Sequence, residues 1–495
     1  MDINTNNAFC ELMAIRGGSK TSEAGSALTA AAEVTVSGQD PFFPSPFKFG
    51  ETAAGVLAAR AVAANDLWEL RTGRRQSIEL SVETAAATCL GGTAQTQCKN
   101  SDGIYEGIQA SEALQHMVSI TQPWKCADGR WFLPHFNLPH LEKKVLDVLG
   151  HDGVPCEGTP EAVAEAVSKW NSEDLDRAIY EAGATGGIVF TQEEWLQHPH
   201  GKHLASLPVV TIEKIADSEP IPLPAITEVD GNAQPLSGVK VLELCRIMAG
   251  PTCGISLAEH GADVLMVTAP QLPQVPNFVR DVSHGKRSCF LDYTVPEDSQ
   301  KLHELVKDAD IFLEGYRPGS MEKHGFGPED LLKDKKGLIY VSVDCFGPGG
   351  VYSDRAGWDQ VAQAVTGIAI TEGELEKAGQ PKLTPVYACD FLTGFMGAFG
   401  AMVALRRRAL EGGSYVVRVS LCQSAMLLQR EGLVTGFENA PGKLDAQTFE
   451  SLAVCDDGTI YGDLKTLGPV IRMSETNPRW NGTTPELGSS EAAWW

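Results

Sequence analysis

Positive charge is scarce in this chain: 40 lysines and arginines face 64 aspartates and glutamates, a formal net charge of −24 at pH 7. That balance excludes nucleic acid and anionic membrane as bulk partners, because either demands a basic face. An anionic ligand would need a local basic patch. The 12 cysteines include no C-x-x-C pair, which removes zinc and dithiol redox motifs and leaves reduced, mostly buried thiols. No charged N-terminal segment runs into an apolar one, and the apolar stretch Phe395 to Leu405 is too short to span a bilayer. A cytoplasmic protein is the expectation. GxxxxGK(S/T), HExxH and GxSxG are all missing.

What is present is ordinary globular composition, 43% hydrophobic and 21% charged over 495 residues. That length should divide into two or three domains. Residues 1–40, rich in Ser, Ala, Gly and Thr, read as a loosely held arm with one short helix. Residues 41–235 open with an Ala-rich helix (Thr52 to Arg71), a turn at Thr72-Gly73 and an alternating strand from Ser77 to Val82. A hairpin around Asp128-Gly129 follows, then helical patterns at 139–149, 160–169, 173–183 and 191–198. Asp217 to Pro235, with four prolines, reads as a linker. Residues 236–495 begin with strands and helices in alternation, at Val239 to Leu244, Pro251 to His260, Ala262 to Val267, Ile311 to Leu313 and Leu338 to Val343. This pattern predicts a parallel sheet.

The helix, turn and strand of the first half recur at 386–425. Laying Glu51 on Asp390 also lays Gly55 on Gly394, Ala59 on Ala398, Gly73 on Gly412, Ser81 on Ser420 and Ala86 on Ala425 without a gap. These identities fall at packing positions, the turn and the strand end, and point to an internal duplication.

Asp390 stands at the start of the second long helix, which ends in Arg406, Arg407 and Arg408. Both ends suit the macrodipole. Asp390 is then an N-cap, a functional carboxylate that free N–H groups favour in its ionised form, or both. Cys389 offers a thiol nucleophile in place of Asp390, without a local His partner. Basic clusters occur at His284-Gly-Lys286-Arg287, Tyr316-Arg317 and Lys323-His324, all near ends of predicted strands, where they could converge on one sheet edge. The strand-loop-helix at 239–260 has no GxGxxG, and Pro251 removes an N–H that pyrophosphate would want.

Together these segments resemble the class III CoA-transferase family, which includes the α-methylacyl-CoA racemases. The segments are R-x-x-A-G-P at Arg246 to Pro251, G-A-D-V at Gly261 to Val264, G-K-R-S at Gly285 to Ser288 and L-D at Leu291-Asp292. An aromatic-R-P-G turn follows at Tyr316 to Gly319, then L-I-Y-V-S at Leu338 to Ser342, and last Asp390 with Thr393-Gly394. The resemblance implies an α/β fold, a Rossmann-like parallel sheet domain with a second, smaller helical domain, in interlocked homodimers. In that frame 41–235 is a truncated repeat of the core plus the small helical domain, and 236–495 is the CoA-binding catalytic domain. It further implies a covalent mechanism in which Asp390 becomes an acyl anhydride and then an aspartyl-CoA thioester. Coenzyme A, as acyl-CoA, and a small carboxylic acid would be the substrates, often dicarboxylic, with no metal. CoA contacts would fall on Ile247, Met248, Ala249, Lys286, Tyr316, Arg317 and Lys323. The chain departs from the family at Met266 to Ala269, where a cationic contact is missing. It departs again at Trp358, which replaces the histidine a racemase needs; an indole cannot take an α-proton. Racemase or isomerase activity, and a silent acyl-CoA-binding protein, are the alternatives.

Overall fold

The computed structural model describes residues 1–17, 30–90, 96–226 and 232–494. Its elements used below are α1 (Asn7–Arg16), β1 (Val34–Ser37), α2 (Phe49–Thr72), β2 (Ile78–Ser81), α3 (Val82–Ala87), α4 (Pro139–Leu149), β3 (Thr211–Ala216), β4 (Lys240–Leu244), α5 (Ala249–Ala258), β5 (Asp263–Thr268), β6 (Arg287–Phe290), β7 (Ile311–Glu314), β8 (Ile339–Asp344), α6 (Asp359–Thr366), α7 (Ala388–Glu411), β9 (Ser414–Ser420) and α8 (Leu421–Glu431).

The expected α/β architecture is present. A seven-stranded sheet runs in the order β6-β5-β4-β7-β8-β9-β3, parallel throughout except for β3, which pairs antiparallel with β9. The strands between its two edges read as largely buried, mostly apolar runs because both faces are covered. Leu313, Val341 and Val343 face one core, shared with α7, while Phe312 and Tyr340 face the other. The chain winds outward from β4 through β5 to β6, then returns to β7 on the other side of β4. The β4/β7 boundary is therefore a topological switch point, where a crevice opens beyond the strand ends. The sequence expected no strand at β3; it comes from the N-terminal half and closes the edge of the C-terminal half's sheet. The hairpin forms as expected, Trp124 opposite Phe132 and Lys125 opposite Trp131, and belongs to the smaller region of helices that includes α4.

The repeat is visible element by element. α2 and α7 both have 24 residues, and their starts lie 339 positions apart (388 − 49). The same offset carries Ser81 onto Ser420, and each serine accepts the N–H three residues on, Thr84 and Gln423, to cap α3 and α8. Gly55 and Gly394 occupy matching positions, and at both a second helix crosses closely. A Cβ on Gly394 would lie 2.5 Å from the Thr252 Cβ and 2.6 Å from the Ala249 carbonyl oxygen of α5; one on Gly55 would lie 1.9 Å from Asn6 Oδ1, at the start of α1. Helix α1 thus takes toward α2 the place that α5 takes toward α7.

That placement corrects the expectation of a loose arm. Asn6 caps α1 through the Phe9 N–H, Phe9, Leu12 and Met13 are buried, and β1 pairs in parallel with β2. The arm's central residues, 18–29, lie outside the described residues, as do 227–231 of the expected linker. Helix α7 is long and apolar enough to cross a membrane by length and composition, but its most apolar window is entirely buried within the protein. A methyl group added at either crossing has nowhere to go. Gly394→Ala and Gly55→Ala should each cost about 1–3 kcal/mol by overpacking, whereas Gly107→Ala, which meets open space, should be near neutral in the same chemical denaturation series.

Candidate active site

A cavity of about 310 Å³ opens at the switch point, with Asp344 at the end of β8 and Arg355 and Trp358 just beyond it among the lining residues. The turn after β4 contributes Arg246, Ile247, Met248 and Ala249; the turn after β7 contributes Tyr316 and Arg317; Asp390 comes from α7, and Leu138, His140 and Leu141 come from the start of α4. Five of the seven expected CoA positions, Ile247, Met248, Ala249, Tyr316 and Arg317, are thereby brought together with Asp390.

The β4 turn is conformationally demanding. Ile247 has φ 72°, the left-handed region that a β-branched residue rarely enters, so tertiary packing must hold it there. Gly250 is required one turn on, since a Cβ there would sit 2.4 Å from Cys245 Sγ. Met248, at the N-cap of α5, makes no side-chain cap, so the N–H groups of Ala249 and Gly250 stay available beside the cavity. The Arg246 guanidinium lies 5.8 Å over the Tyr316 ring and donates to the Pro273 carbonyl at 3.0 Å. Among the described residues no carboxylate pairs with Arg246 or Arg317. In so acidic a chain, two unpaired guanidiniums on one cavity suit an anion.

Asp390 does not cap its own helix. Helix α7 begins two residues earlier, and the capping carboxylate is Asp359, whose Oδ2 accepts the Asp390 N–H at 3.0 Å. Burial, and then the charge of Asp359, push the Asp390 carboxyl well above the usual range. Asp359 itself rises to about 6 through burial, opposed by its bonds from the backbone of Asp390 and Cys389 and from Gln363. Two facing carboxyls out of water cannot both ionise freely. In the first repeat Asp40 does the same work, accepting the N–H groups of Gly50 and Glu51 at 3.2 and 2.7 Å. Glu51 pairs with Lys48 at 3.1 Å and lies outside the Asp390 cavity.

Other expectations are corrected. Lys286 is not at the cavity: its Nζ is fully buried, 2.8 and 3.1 Å from the Glu243 carboxylate and 2.8 Å from the Pro251 carbonyl. Burial still raises Glu243 against the pull of Lys286, and the two-oxygen contact keeps the pair matched. The rest of that cluster is also spent on structure, Arg287 on Asp263 and His284 on Asp456. Lys323 is exposed at the end of the short helix Ser320–Lys323 and does not line the cavity. The Cys389 thiol is buried and pushed well up, first by burial and then by Asp359 and Asp390, so it stays protonated and is a poor nucleophile. Trp358 lines the cavity and stacks on His135, centroids 5.5 Å apart. Sequence reasoning missed Asp359 as the cap and the α4 wall, both being set by contacts far apart in the chain.

Comparison with known proteins points to one family. The model of CoA-transferase family III matches residues 21–227 and again 236–461. An acyl-CoA transferase of Gibberella moniliformis is 33% identical over 73% of this chain and 71% of its own length. The succinyl-CoA–L-malate CoA-transferase beta subunit of Chloroflexus aurantiacus is 35% identical over 38% of this chain and 50% of its own. A crystal structure of a Mycobacterium tuberculosis protein aligns at 32% identity over 41% of this chain and 57% of that one, with a TM-score of 0.39. The chain thus spans only about half the length of the latter two relatives.

The two kinds of basic residue should separate on mutation. Lys286→Met should lose about 3–5 kcal/mol of stability by stranding a buried carboxylate. Arg317→Met should leave stability intact and raise KM for an acyl-CoA roughly tenfold. Denaturation and steady-state kinetics on both variants check the split.

Proposed function

We propose that this chain, which belongs to CoA-transferase family III, moves coenzyme A from an acyl-CoA thioester to a carboxylic acid through covalent intermediates on Asp390. The observation that carries this reading is a buried carboxylate, Asp390, in a cavity also lined by Arg246 and Arg317, which no carboxylate pairs among the described residues. A CoA thioester needs both, a nucleophile at its carbonyl and cations at its phosphates.

Asp390 Oδ attacks the thioester carbonyl carbon and expels CoA as a thiolate, leaving a mixed anhydride. The thiolate attacks the Asp390 carbonyl carbon, releases the donor acid as its carboxylate, and leaves an aspartyl-CoA thioester. An acceptor carboxylate reverses both steps, so the enzyme returns to free Asp390 and a new acyl-CoA departs. No proton is consumed, and the thioester's free energy is conserved in successive acyl transfers. The unspent N–H groups at the start of α5 are suited to stabilise the tetrahedral oxyanions. Trp358 argues against α-proton chemistry, since an indole offers no basic nitrogen.

Ionisation sets a requirement on this route. Asp390 must lose its proton to attack, so activity is present above its raised pKa and falls as pH drops through it. Asp359→Asn removes a like charge and therefore lowers the pKa of Asp390. The acid limb of the kcat profile should move to lower pH, at a cost of about 1 kcal/mol in helix capping. A limb that stays put would show that the pair is not what titrates.

Asp390→Asn should abolish exchange while CoA still binds, and Glu51→Gln should stay active. With acyl-CoA, hydroxylamine and no acceptor acid, Asp390 should become a hydroxamate on the tryptic peptide between Lys382 and Arg406. An unmodified peptide despite measurable exchange would sink the covalent route.

A further inference from the structure

The wall of the cavity that comes from the N-terminal half carries charge of its own. Helix α4 starts at Pro139, which places His140 in its first turn and Lys144 one turn later on the same face. His140 lines the cavity with Arg246 and Arg317. The Lys144 Nζ donates to the Gly183 carbonyl at 3.3 Å, and among the described residues it has no carboxylate partner. The other acidic and basic groups of α4 are engaged elsewhere, Glu142 with His116 and Lys143 with Asp147. His140 is an exposed residue at the cavity wall, and its imidazole is held below the usual histidine range first by what desolvation it has and then by Arg246, Lys144 and Arg317, all cations.

Arg246, Lys144, Arg317 and His140, from two halves of a −24 chain, therefore come together, and among the described residues none of the three cations is paired with a carboxylate, although Asp344 and Asp390 line the same cavity. Such a cluster is unfavourable unless something negative fills it. We infer that His140 and Lys144 clamp the phosphate-bearing end of CoA from the N-terminal half, and that His140 takes up one proton from solvent as the phosphates arrive. This rests on the transferase reading above. The physics is linkage: an arriving polyanion offsets the three cations, so the imidazolium, with two N–H donors, becomes the favoured form in the complex. Dissociation returns the proton. CoA binding accordingly weakens as pH rises, without any change in the chemistry at Asp390.

Calorimetry on the full chain with CoA alone, in two buffers of different ionisation enthalpy near pH 7, reads the proton directly. Wild type should take up a substantial fraction of a proton, and His140→Gln should take up none. Lys144→Met should raise Kd for CoA roughly tenfold, while pantetheine, which lacks the phosphates, binds all three proteins alike. Proton uptake that persists in His140→Gln, or two variants that bind CoA as tightly as wild type, overturns the clamp and leaves the transferase reading standing. A wild-type protein that does not bind CoA overturns both.

Discussion

The close crossing of α5 and α7 is the contact on which the site depends. Only a residue without a side chain at 394 lets the Ala249 carbonyl and Thr252 approach so near, and that approach sets the β4 turn against Asp390. The rest of the site follows from it: the uncapped amides of α5, the left-handed Ile247 and Asp390 all share one small volume. The second constraint is Asp359, which holds the start of α7 and in doing so makes Asp390 harder to ionise. Positioning and reactivity are thus set by the same carboxylate, and in opposite senses.

The first repeat keeps this architecture with Glu51 in the place of Asp390. It has a crossing glycine, Gly55, a helix lying on it, α1, and a remote carboxylate, Asp40, holding the helix start. Among the described residues it lacks a run of β/α units comparable to β4 through β7, and Glu51 is paired with Lys48 instead. The fold tolerates that loss because α2 and its neighbours are packed on their own account, with nearly every residue from Phe49 to Trp68 buried.

Much of this was legible in the sequence, for identifiable reasons. Long helices rich in small residues announce themselves by composition, and a gapless register of 339 positions is hard to mistake when glycines and a capping serine fall on one another. The parallel sheet followed from alternation of apolar runs with helices. Partners distant in sequence were not legible. A G-K-R-S segment names Lys286 but not Glu243, which lies 43 residues earlier and claims the lysine for the interior. The start of α7 looked like a self-capped helix because nothing local marks Asp359, 31 residues upstream, as its cap. The arm's one short helix was expected, but not its docking on α2, because Phe9, Leu12 and Met13 are too few to show a period.

The strand β3 carries one more implication. It leaves the small helical region and zips onto β9, so α4 and the sheet it faces are parts of one continuous chain. Their encounter is governed by an effective concentration fixed by the tether rather than by how much protein is in solution. Dilution therefore has no purchase on the meeting of these two walls.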